Sequence, residues 1–92
     1  MVPQVCKNRR LNVPFKSDRK YKKLQVCARD KYTGEIVNVH FGDNRYEDFT
    51  IHKDNKRRKN YLLRSAGIKD SRGRLTKDNP GSPNYWARKV LW

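Results

Sequence analysis

Residues 39–67, VHFGDNRYEDFTIHKDNKRRKNYLLRSAG, write out the end of an apolar strand, an acidic turn and a strongly basic helix with its own stop. Val39 and Phe41 alternate with His40, the period-two pattern of a half-buried strand, and Gly42-Asp43-Asn44 turns the chain. Tyr46, Phe49 and Ile51 supply apolar anchors through a single helical turn. Asp54 suits an N-cap, accepting from amides two or three residues on. Lys56, Arg57, Arg58, Lys59 and Arg64 cover most of the following helix, leaving Tyr61, Leu62 and Ala66 to face a sheet. Gly67 fits the C′ position, with Ile68 placed to meet Leu63 in a Schellman-type closure.

Upstream, Leu24, Val26 and Ala28 alternate with Gln25, Cys27 and Arg29, and Val37 begins the second strand. The intervening DKYTGE carries Gly34 where a left-handed glycine bulge closes a hairpin, and Tyr32 at the tip is the aromatic expected to be exposed. A lone hairpin is marginal in water, so its apolar face requires a helix across it. Downstream, residues 69–81 are turn-rich. Ser82-Pro83 then starts a helix as N-cap and N1, whose apolar face is built from the i,i+4 pairs Trp86/Val90 and Ala87/Leu91.

Residues 1–23 read as a basic extended arm, and residues 24–92 as one small α+β domain. Pro3 and Pro14 break regular structure, and Val5, Leu11, Val13 and Phe15 follow no sustained period. Lys7, Arg9, Arg10, Lys16, Arg19, Lys20, Lys22 and Lys23 stand there against the single acid Asp18. The expected fold is a small β-hairpin packed against a basic helix and a Trp-rich C-terminal helix.

Hydrophobic residues are 35% of the 92-residue chain, below the usual share of roughly 45–50%, so the core is thin and leans on its aromatics. The formal net charge of +14 exceeds what solubility needs and points to a polyanionic partner. Nucleic acid, DNA ahead of RNA, is the first expectation. An acidic protein surface is the second. The expected contacts are Lys7, Arg9, Arg10, Arg19, Lys20, Lys22, Lys23, Lys56, Arg57, Arg58, Lys59 and Arg64. Cations without exposed aromatic platforms suit phosphate contact better than base reading.

Other chemistries find little support. Cys6, Cys27, His40 and His52 are a zinc inventory separated by 21, 13 and 12 residues, whereas closed sites pair ligands at short spacing. No metal and no cofactor is expected, and two cysteines are too few for a disulfide scaffold, so free thiols are. A hairpin with His40 before a helix near His52 and Asn55 has the strand-strand-helix layout of metal-dependent nucleases, yet the helix carries lysines where ligands are wanted. The plainer reading puts His40 on the outer sheet face and His52 at the helix start. Asp43, Glu47, Asp48 and Asp54 are better read as partners of neighbouring cations and of the helix N-terminus. No catalytic residue, small-molecule substrate or membrane partner is expected.

The blocks HFGDNRYEDFTIHKDNKRRKNYLLRSAGI and SPNYWARKVLW resemble a family of short uncharacterised proteins encoded by tailed bacteriophages and large DNA viruses. The resemblance covers about residues 20–92. Family members often carry His after the helix where this chain has Ser65. The resemblance implies a viral source, and hence a non-enzymatic virion component or genome-binding protein, found in the virion or the host cytoplasm. The alternative within that setting is a minor capsid or cement protein whose arm binds coat subunits.

Overall fold

The computed structural model describes residues 2–92. Strands β2 (Lys22–Arg29) and β3 (Ile36–Asp43) form the expected antiparallel hairpin, pairing Leu24 with Phe41, Val26 with Val39 and Ala28 with Val37. That register places the apolar residues of both strands on one face. The turn closes as its residues predict, with Asp30 Oδ1 accepting from the Tyr32 and Thr33 amides and Gly34 at φ 74°. A short strand β1 (Phe15–Lys16) adds to the other edge of β2, so the sheet has three strands in the order β1-β2-β3.

The layer directly on the apolar face is the C-terminal segment. Ser82 caps α3 (Pro83–Trp86) and Pro83 opens it, as the sequence predicts. The chain then widens into a π-helical turn, Ala87–Leu91, closed by the Trp92 amide on the Ala87 carbonyl. An α-helix would align Trp86 with Val90. The π turn instead brings residues five apart into line, and Trp86 and Leu91 are the pair buried against Val26, Val39 and Phe41. Trp86 also donates from Nε1 to the Pro80 carbonyl at 2.7 Å. Gly42, at φ 77°, lets Leu91 in, since a Cβ there would lie 2.5 Å from Leu91 Cδ1.

Helix α1 (Phe49–His52) is capped by Asp48, and α2 (Asn55–Ser65) by Asp54, whose carboxylate accepts from the Lys56 and Arg57 amides. Helix α2 packs chiefly on the C-terminal segment. Tyr61 stacks on Trp92 with ring centroids 4.1 Å apart, and Arg88 donates to the Leu62 carbonyl and to Ser65 Oγ. The Schellman closure does not form. Gly67 is absent from the left-handed residues, Ile68 N–H donates to the Ser65 carbonyl, and Leu63 and Ile68 both stay exposed. Arg88 meets the helix end instead, which removes the need for the glycine cap.

Of residues 1–23, expected as an extended arm, Phe15–Lys16 form β1 and Lys22–Lys23 open β2, while Cys6 and Ser17 bring the segments around them against the second face of the sheet. Cys6 and Cys27 form a disulfide, with Cα atoms 5.7 Å apart, so the expectation of free thiols is overturned. Both are buried beside a 3-10 turn, Gln4–Cys6. Gln25 donates to the Lys16 carbonyl and accepts from Asn38, and Asn12 N–H donates to the Cys27 carbonyl. His40 is therefore buried, not on an open outer face, with Nδ1 2.7 Å from Ser17 Oγ.

Candidate nucleic-acid interface

The sheet sorts most of the predicted contacts into two exposed groups. On the side covered by the N-terminal layer, Lys7, Arg9, Arg10, Arg19 and Lys20 are exposed, with Lys22 half-buried at the start of β2. On the other side, beyond the C-terminal segment, α2 exposes Lys56, Arg57, Arg58, Lys59 and Arg64. Helix α2 contains no acid, so nothing on it competes with a phosphate for its cations.

Not all twelve predicted contacts are equally available. Lys23 Nζ is ion-paired to Asp48 and donates to the Tyr46 carbonyl at 3.2 Å, with a side chain only 18% exposed. Half-buried and held by these contacts, it is less available to a phosphate than its neighbours. Arg58 Nε donates to the backbone oxygen of Trp92 at 2.8 Å and its guanidinium lies over Phe49, so it braces α1 against the C-terminal segment. Arg57 approaches Glu47 at 3.9 Å, a loose and exposed pair of small energy. Arg9 stacks on Phe15 with Cζ 3.6 Å from the ring centroid. The remaining eight, Lys7, Arg10, Arg19, Lys20, Lys22, Lys56, Lys59 and Arg64, form no ion pair among the described residues.

The carboxylates serve internal roles. Asp43 holds Arg45 through both oxygens and that pairing draws its pKa down to about 2. Burial pushes the Asp48 carboxyl up, but hydrogen bonds from Lys23 and Thr50 outweigh it and hold the group below its ordinary value. Asp70 takes the Arg72 and Arg74 amides and the Arg74 side chain, folding its loop back on itself. Among the described residues, no three His, Cys, Asp or Glu side chains come together as a metal site. His52 is turned inward at the end of α1, its Nδ1 accepting from the Asp54 amide and its ring against Trp92.

Tyr32 is exposed as expected, but Arg74 lies over its ring at 4.1 Å and its hydroxyl donates to the Leu75 carbonyl. Tyr21 and Tyr46 are more open, Tyr46 at 70% exposure, which the sequence reading missed. Tyr46 sits at the mouth of a cleft of about 540 Å³ between the end of β3 and α2, walled by Arg57, Tyr61, Arg64 and Trp92. With Phe49 and Ile51 it reads in sequence as an apolar anchor. No local signal marks Tyr46 as exposed.

Residues 15–65, from β1 to the end of α2, match the family described as Family of unknown function (DUF5754). The chain belongs to that family. The DUF5754 region contains the sheet and the basic helix, while the C-terminal segment that covers the sheet lies beyond the matched residues. No curated protein and no solved structure matches the chain.

Proposed function

We propose that this DUF5754 protein is a non-enzymatic nucleic-acid-binding protein that grips the phosphate backbone with little regard to sequence. The observation that carries the reading is the set of eight exposed or half-exposed cations without ion pairs, on a chain of net charge +14. Such a surface releases counterions on meeting a polyanion, and that release drives association. Its exposed cations come from an N-terminal layer and from most of the circumference of one helix, a spread that suits phosphate contact. DNA is the preferred partner. The resemblance to phage and large-virus proteins favours a place in the virion beside the genome. The Cys6–Cys27 disulfide agrees with residence outside a reducing cytosol.

The test is a salt titration of binding to unrelated duplexes. Affinity should fall linearly on a log–log plot, by about 0.9 log unit per log unit of salt for each phosphate contact. Lys56→Gln or Lys59→Gln should reduce that slope by roughly one unit. Affinity independent of salt, or no binding at low ionic strength, overturns the reading.

A second reading has its own observation. Tyr46, Ile51 and Leu63 are exposed at 70%, 57% and 67%, large side chains left to solvent on the α1–α2 side. They favour a minor capsid or cement role, for which stoichiometric presence in purified particles is the discriminating measurement.

A further inference from the structure

The surplus charge is not spread evenly through the fold. Residues 2–21, ahead of β2, carry six Lys and Arg against one acid, and α2 carries five against none, leaving a net of only +4 on the rest of the chain. These two segments are on opposite sides of the sheet. The N-terminal layer is tied to one face through Cys6–Cys27 and Ser17–His40. Helix α2 is beyond the other face, stacked through Tyr61 on Trp92 of the segment that covers the core.

Layers either side of a sheet are on the order of 20 Å apart, more than twice the Debye length of about 8 Å at physiological salt. Each basic surface therefore acts on its own neighbour. A single duplex could meet both only by bending sharply around a protein whose Cα extents are 40 × 29 × 19 Å, and such bending of duplex DNA opposes its stiffness.

We propose that one molecule of this protein holds two duplexes at once, one on the N-terminal layer through Lys7, Arg10 and Arg19, the other on α2 through Lys56, Lys59 and Arg64. The inference rests on the nucleic-acid reading above and extends it from binding to bridging. Bridging neutralises two backbones that would otherwise repel, and brings duplexes together without dimerisation of the protein.

The experiment uses an immobilised duplex, a second fluorescent duplex in solution, and the full chain at low salt. Binding to a single duplex is measured in parallel by fluorescence anisotropy. One variant combines Lys7→Gln, Arg10→Gln and Arg19→Gln, and another combines Lys56→Gln, Lys59→Gln and Arg64→Gln. All six side chains are exposed, and unchanged melting of both variants shows that the fold is intact. Wild type should capture the second duplex, and each variant should still bind a single duplex while capture falls by about tenfold or more. Two outcomes overturn bridging alone: wild type binds one duplex but captures no second, or either variant captures as wild type does, as a protein dimer would. Absence of any single-duplex binding by wild type instead removes the nucleic-acid reading, and bridging with it.

Discussion

Ser17 Oγ lies 2.7 Å from His40 Nδ1, joining the N-terminal layer to β3 on the side of the sheet away from Trp86. The hydroxyl oxygen also accepts from the Arg19 amide, and with one hydrogen and a second lone pair it can meet either tautomer of a neutral histidine. Burial lowers the His40 pKa, Arg19 and Lys22 lower it further, and Asp18 opposes them. Protonation is thus easier in the unfolded chain. Stability is full above the ordinary histidine value of about 6.5 and falls as pH drops below it towards the lowered native value. Melting temperature should decline as pH falls below about 6.5, and His40→Gln should flatten that part of the curve. A histidine-independent decline there would refute the role. The Asp48 contribution occupies a separate window, present above the ordinary aspartate value and lost in strong acid as pH falls through its depressed native pKa.

The Cys6–Cys27 disulfide closes a loop across a sequence separation of 21 residues. Chain-entropy arguments assign such a loop about 3 kcal/mol. Cys6→Ser/Cys27→Ser, or reduction of the native protein, should lower unfolding free energy by roughly that amount in denaturant titrations. The unreduced protein should show no free thiol in a thiol-reactive assay, and two reactive thiols under non-denaturing, non-reducing conditions would contradict the pairing.

Trp86 is 2% exposed and central to the core, 6.2 Å from Phe41 between ring centroids. Its truncation to alanine should cost about 3–5 kcal/mol, enough to unfold much of a small domain. It also leaves the Pro80 carbonyl without its donor. Removing residues 82–92 should abolish the cooperative transition altogether. A truncated chain that melts as before would mean that the segment is dispensable to the core.

Lys23 and Lys59 carry the same charge and should respond oppositely. Lys23→Gln breaks a contact with an Asp48 side chain that is 5% exposed, and should cost about 1.5–3 kcal/mol of stability. Lys59 is exposed and unpaired, so Lys59→Gln should leave melting nearly unchanged and weaken duplex binding. Equal effects of the two substitutions on affinity would show that Asp48 does not hold Lys23 out of the interface.

Arg88 tests why the glycine stop of α2 is unused. Its Nη1 reaches the Leu62 carbonyl and Ser65 Oγ at 2.6 and 2.7 Å. Arg88→Ala should cost about 1.5–3 kcal/mol, and Arg88→Lys should recover only part of it because an ammonium lacks the planar fork. Full recovery by lysine would reduce the contact to charge alone.

What the sequence determined by itself is local. The hairpin follows from Val26, Ala28, Val37 and Val39 at period two, the turn from Asp30 and Gly34, and the helix starts from Asp54 and Ser82-Pro83, each a signal complete within a few residues. The tertiary structure decided what lies against those elements. Gln25, Cys27, Asn38 and His40 alternate as a solvent-facing strand would, yet they are covered by a segment whose irregular sequence carries no period to announce it. The cysteine spacing encodes no partner, and only the return of residues 2–16 across the sheet brings the sulfurs together. The roles of Lys23, Arg58 and Lys59 separate for the same reason. A cation's availability depends on whether a distant carboxylate or carbonyl is folded against it, and contacts between residues far apart in the chain leave no mark on local sequence.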